Sequence, residues 1–241
     1  MGMVLFPGRF TSLRSLPVES PVILIDAVNG ISPSTYRNTA TLLWGNYYSF
    51  VPSNRIDFIN IPLTPTSTGI TFVMKFRFTG STNADYESLL CFNRVGDPVS
   101  WNSNQTDANT IFMGRVQFRD QVSISFSGAS SITTLDILNS PNTGTLTRGT
   151  DYILAVRWTG NTTTAGPAYT VSRWITTGSS LSGVAKSDTT YTSARSPADG
   201  TYSLLGIGHQ NQRGGYGFMT GFIYYMYVYN QALTDSQISL F

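Results

Sequence analysis

YGFMTGFIYYMYVYNQALTDSQISLF, residues 216–241, joins a strongly alternating segment to a short amphipathic one. Successive side chains of an extended chain point to opposite faces. That puts Ile223, Tyr225, Tyr227 and Tyr229 on one face and Tyr224, Met226 and Val228 on the other. Both faces are apolar or aromatic. A strand in a two-layer sandwich ordinarily buries one face and wets the other. This one either lies deep inside or offers a tyrosine stripe to something outside its domain. Beyond the strand, Thr234 is placed to cap a helix over 235–240, and Gln237 completes a capping box.

Upstream of this segment the same period recurs, punctuated by Gly, Pro and Asn turns. Over 70–78, Ile70, Phe72, Met74, Phe76 and Phe78 share one face, and Thr71, Val73, Lys75 and Arg77 share the other. Residues 88–93 read as a further strand, and 111–118 with 122–126 as a hairpin around 119–121. Residues 151–158 place Tyr152, Leu154, Val156 and Trp158 inward; 169–175 and 202–207 complete the set. Nearer the start, 22–25 is a short buried strand, 26–44 is loop-rich with one more strand near its end, and 1–21, with three prolines, is an irregular arm expected to be pinned to its own domain or a neighbour. Residues 140–149 and 179–200 read as polar loops. Many short strands and one helix predict an all-β fold, a two-sheet antiparallel sandwich over 22–241.

Composition narrows the partners. Of 241 residues only 12% are charged while 41% are hydrophobic and 13% aromatic, so the polar surface is built mostly from uncharged groups. No composition shift or charge run offers a domain boundary, and one domain is expected. The net charge of +2, spread without clusters, gives no footprint for nucleic acid or an anionic membrane. Cys91 is the sole cysteine, so no intrachain disulfide forms, and its apolar neighbours make it a core residue. The first residues lack the charged and apolar regions of a signal peptide, and Phe6 stands where myristoylation wants Ser or Thr; synthesis in a cytoplasm is expected. No apolar run reaches the ~20 residues of a membrane helix.

Three segments resemble the laminin-G-like, concanavalin A-like jelly roll shared by many lectin and adhesion modules. GITFVMKF (69–76) is similar to its early strand, and LTRGTDYILAVRW (146–158) to its turn-and-strand segment. TGFI (220–223) followed by VYNQALTDSQI (228–238) is similar to its closing signature. In that family the positions of Tyr224, Tyr225 and Tyr227 are commonly acidic, acidic and basic, which suits a solvated face. The resemblance therefore implies that an outward face has lost its charges here. Tyr225, Tyr227 and Tyr229 become candidates for an interface with another protein chain, unless the arm or a long loop of the same chain covers them.

Catalytic chemistry finds little support. The Glu-x-Asp-x-x-Glu strand by which some relatives hydrolyse β-glucans is absent, and the nearest carboxylate pair, Asp85 and Glu87, reads as part of a turn. His209 is the sole histidine, no Gly-x-Ser-x-Gly elbow exists, and one His with one Cys makes no zinc site. The glycines at 206, 208, 214, 215 and 217 serve turns and close packing rather than a phosphate cradle. Relatives often hold one calcium ion; Asp97 and Asp107, with Asn102 and Asn104, are the weak candidates here, although such residues also simply form turns. For sugar binding the candidates are loop aromatics beside amides: Trp101 with Asn102 and Asn104, His209 with Asn211, and Tyr216. Trp44, Trp158 and Trp174 belong to the core.

The expectation from these residues is a non-enzymatic structural or adhesion protein of a larger assembly, and analogy with where jelly rolls without a secretion signal occur makes that a virus or phage particle component. Its partners would be other protein subunits and a cell-surface glycan, with no cofactor beyond calcium. The alternative is a stand-alone lectin-like carbohydrate-binding module, and a glucanase-type glycosidase stands third.

Overall fold

The computed structural model describes residues 16–18, 21, 23–27, 37–38, 41–43, 47–51, 56–63, 69–80, 86–94, 110–116, 122–128, 131–138, 147–160, 169–191, 202–208 and 219–241. Along these the chain forms β1 (Ile23–Asp26), β2 (Arg37–Asn38), β3 (Thr41–Leu43), β4 (Tyr47–Phe50), β5 (Ile56–Leu63), β6 (Ile70–Phe78), β7 (Tyr86–Arg94), β8 (Thr110–Val116), β9 (Val122–Gly128), β10 (Ser131–Leu138), β11 (Tyr152–Gly160), β12 (Tyr169–Thr176), β13 (Ser187–Tyr191), β14 (Tyr202–Ile207), β15 (Gly221–Tyr229) and α1 (Asp235–Ile238). Sheet A runs β13-β12-β11-β6-β15-β4-β3, with β1 also on β15. Sheet B runs β10-β9-β8-β7-β14-β5-β2. The pairings are antiparallel, and the fold is an all-β jelly-roll sandwich with one short C-terminal helix.

Between the sheets lies the main core. β6 contributes Ile70, Phe72, Met74, Phe76 and Phe78, and β11 contributes Tyr152, Leu154, Val156 and Trp158, as their period requires. Phe72 meets Trp158 edge-on at 6.3 Å, and Phe76 stacks on Tyr152 at 5.9 Å. Sheet B supplies Leu89, Leu90 and Ile207. Gly208, at the end of β14 with φ +76°, is held to glycine by space as well as backbone: a Cβ would stand 2.2 Å from the Phe50 ring.

β15 departs from simple alternation. Ile223 pairs with Phe76 but Tyr225 pairs with Lys75, so Tyr224 is an extra residue in the ladder, a β-bulge. The bulge sends Ile223 into the inter-sheet core with Met226 and Val228, and turns Tyr224 outward beside Phe222. The straight count through the strand placed both residues on the wrong face. The cause is local: β15 changes partner there, pairing with β4 over Gly221–Ile223 and with β1 from Tyr225 to Val228.

Two further differences concern strands. Residues 131–138 form β10, not singled out from the sequence, and 187–191, read within a polar loop, form the edge strand β13 against β12. β10 (SITTLDIL) spreads its apolar residues over both faces of the count, and β13 (SDTTY) is nearly all polar, so neither has a clean apolar face to announce it. The capping box forms as expected: Thr234 accepts from the Gln237 amide, and the Gln237 side chain accepts from the Thr234 amide at 2.9 Å.

Glu87 is no turn residue. It sits in β7, fully buried, its carboxylate 3.0 Å from Arg148 Nη2 and accepting from the Thr220 amide at 3.2 Å. Arg148 Nη1 donates to the Gly80 carbonyl. One buried ion pair thus ties together the β6–β7 connection, the turn before β11 and the entry to β15.

Candidate functional site

The outer face of sheet A is divided into a covered half and an open half. The covered half is a second core made of Val73, Ile153, Ala155, Trp174, Tyr227 and Tyr229, closed by Val18, Leu181, Leu233, Ile238 and Phe241. Tyr229 donates to the Val18 carbonyl at 2.9 Å, and Tyr227 donates to Asp26 Oδ2 at 2.5 Å. The Phe241 ring packs on both tyrosines, with centroids 5.4 and 6.2 Å away. Arg157 clamps the closing segment. Its guanidinium lies over the Trp174 ring at 4.9 Å, and Nη1 donates to the Leu233 carbonyl at 2.8 Å and to Asp235 Oδ1 at 2.6 Å. Thr71 Oγ1 donates to the Gln231 carbonyl and accepts from the Leu233 amide, both at 2.9 Å.

This corrects the expectation for Tyr225, Tyr227 and Tyr229. Tyr227 and Tyr229 are buried by the chain itself, and Tyr225 is partly buried against Tyr227, 5.2 Å between ring centroids. The cover suits uncharged residues at these positions: a charged side chain under Phe241, Leu233 and Val18 would be desolvated without compensation. Burial, and for Tyr227 the hydrogen bond to Asp26, raises both the Tyr225 and Tyr227 hydroxyl pKa values well above the ordinary phenol range.

The open half lies at the other end of β15. Phe222 and Tyr224 flank Tyr47 of β4, with ring centroids 4.6 and 5.5 Å from it. β6 brings two cations to the same place: Lys75 Nζ stands 4.9 Å over the Tyr224 ring, and Arg77 stands 5.8 Å from the Phe222 centroid. Asp151, just before β11, gathers them. Its Oδ1 accepts from Arg77 Nε at 2.6 Å and from the Tyr224 hydroxyl at 2.8 Å, and its Oδ2 is 3.9 Å from Lys75 Nζ. All six side chains are partly exposed.

Electrostatics follow from this geometry. Burial pushes the Asp151 carboxyl up, but hydrogen bonds from Arg77 and Tyr224 and the charges of Arg77 and Lys75 outweigh it and hold its pKa below the usual carboxylate range. The hydrogen bond to Asp151 raises Arg77 against its own desolvation. Burial first, then the hydrogen bond to Asp151, pushes Tyr224 up to about 12, so it is a neutral phenol near pH 7. Among the described residues two cations face one carboxylate here, an excess of positive charge. The patch offers ring surface and N–H donors on three adjacent strands of a rigid sheet.

Of this site the sequence marked only Lys75 and Arg77 as outward-facing. Tyr224 was assigned inward, and Tyr47 and Phe222 were not singled out. The signal in hindsight is Ile223 and Met226: two core residues three apart cannot share one face of a regular strand, so a bulge must lie between them.

The candidates Trp101, Asn102 and Asn104, with Asp97 and Asp107, fall between β7 and β8, and His209, Asn211 and Tyr216 fall between β14 and β15; all lie outside the described residues. The strands that carry them leave sheet B at opposite ends of β14. Arg94 is in register with Tyr202, its first residue, and Leu90 with Ile207, its last.

No family model matches the chain, and no curated protein matches it. Among solved structures, it is similar to the K499G mutant of the NanB sialidase from Streptococcus pneumoniae, at TM-score 0.52 and 13% identity over 91% of this chain and 28% of that one. NanB with Optactamide gives TM-score 0.52 at 14% identity, covering 92% and 28%. The Ruminococcus gnavus IT-sialidase CBM40 bound to α2,3-sialyllactose aligns at TM-score 0.49 and 12% identity, covering 91% and 97%. The chain thus spans little more than a quarter of the NanB sialidases, and the likeness is one of fold: a β-sandwich of jelly-roll build.

Proposed function

We propose that the chain is a non-catalytic, lectin-like carbohydrate-binding module of the concanavalin A-like and laminin-G-like type that its sequence resembles. Residues 22–241 form its single domain and 1–21 its arm, and it holds sugar on the open half of the outer face of sheet A. The observation that carries this reading is the cluster of Tyr47, Phe222 and Tyr224 rimmed by Lys75, Arg77 and Asp151. A pyranose presents an apolar C–H face and an equatorial fringe of hydroxyls. Partly exposed rings receive the first, and charged hydrogen-bonding groups at their edge receive the second.

Binding rather than hydrolysis is supported by how the described carboxylates are used. Glu87 is committed to Arg148, Asp26 to Tyr227, Asp151 to Arg77 and Tyr224, Asp188 to Lys186 and Asp235 to Arg157. The assembly reading expected from the sequence drew in part on the tyrosine stripe as a docking face. With Tyr227 and Tyr229 covered by the chain's own residues, the binding-module reading is the one the observations favour.

A glycan array probed with the purified protein, followed by calorimetry on the best ligand, tests this. The wild type is expected to bind a defined set of sugars, and Phe222→Ala or Tyr47→Ala to weaken that binding about tenfold or more, the loss of roughly one buried ring face. Binding by neither form, or equal binding by both, overturns the reading.

A further inference from the structure

We infer that the sugar this patch takes is anionic, bearing a carboxylate or a sulfate. This rests on the carbohydrate reading and deepens it. Arg77 spends only Nε on Asp151; its two terminal nitrogens make no hydrogen bond among the described residues, and the side chain is 33% exposed. Lys75 Nζ is beyond hydrogen-bond distance from Asp151 and makes no hydrogen bond among the described residues. The patch therefore holds a half-used guanidinium fork and an unbonded ammonium beside three aromatic rings.

Among the described residues Asp151 is the one acidic group facing them, and it is already engaged by Arg77 Nε and the Tyr224 hydroxyl. Its position anchors Arg77 from behind, so the free edge of the fork is preset for a second anion. A guanidinium in that state matches the two oxygens of a carboxylate or sulfate. A neutral sugar would leave the two cations to share the single carboxylate of Asp151. An anionic one supplies a second counter-charge while its ring lies on Tyr47 and Phe222. The cations stand on β6 and the rings on β4 and β15, so the charged group and the sugar ring meet separate strands.

Matched polymers separate charge from sugar: dextran sulfate against dextran, and polygalacturonate against its methyl ester, with affinities measured in low and in physiological salt. The anionic member of at least one pair is expected to bind about tenfold or more tightly at low salt. That preference should shrink as salt screens the contact. Lys75→Gln and Arg77→Lys are expected to weaken binding of the anionic member more than that of its neutral partner, and so to erode the preference. Lys186→Gln, remote from the patch, should leave it intact. Which pair responds tells sulfate from carboxylate. Equal binding of charged and neutral members overturns the anionic assignment and leaves the carbohydrate reading standing. A preference that Lys186→Gln lowers as much as Lys75→Gln also overturns it, since that is general charge attraction. Absence of binding to all four polymers and to every sugar of the array overturns both.

Discussion

Asp151 holds the open patch together, and its chemistry can be checked by titration. Its carboxylate fixes Arg77 through Nε and Tyr224 through the hydroxyl, and its folded pKa lies below the usual value of about 3.9. A depressed carboxylate stabilises the fold above its unfolded pKa, and that contribution disappears as pH falls through the folded one. Stability of the wild type should therefore decline below about pH 4, and Asp151→Asn should lower stability at neutral pH while flattening that acid limb. Urea midpoints measured from pH 7 to pH 2 check it; parallel curves for the two proteins would count against the arrangement. None of this was legible beforehand, because Arg77, Asp151 and Tyr224 stand 73 or more residues apart and only the sheet register unites Asp151 with each. Glu87 teaches the same lesson: its neighbours 80–86 read as a turn, and nothing local tells of Arg148, 61 residues on.

At the scale of elements, strands with one clear apolar face were readable almost to the residue. β6 and β11 bury the side chains their period names, and the Thr234–Gln237 capping box forms as written. β15 was readable as a strand but not in detail, because a bulge changes neither composition nor length and reverses which residues face out. Its tyrosines, expected to meet another chain, meet Val18, Asp26 and Phe241 instead. Tyr227→Ser should therefore cost stability, about 2–4 kcal/mol for a lost ring and a broken buried hydrogen bond, without altering oligomeric state. Denaturation and sedimentation measured on the same preparation check it. A stable variant that changes its assembly would restore the intermolecular interface.

For the molecule as a whole, fold class was legible because it rests on many strands whose patterns agree, so errors in single elements cancel. The candidate site was not, since it depends on which part of one sheet face the chain covers with its own tail. The C-terminal helix, 177–186 and the Leu16–Val18 segment seal the half near Tyr227, and the half near Tyr47, Phe222 and Tyr224 stays open. Hydrogen exchange of the protein with and without its tightest array glycan tests this division most directly. Protection confined to segments 47–50, 73–78, 150–153 and 221–225 is the predicted footprint. Protection falling instead on 95–109 or 209–218, with those segments unchanged, would contradict it and return the site to Trp101, Asn102, Asn104, His209, Asn211 and Tyr216.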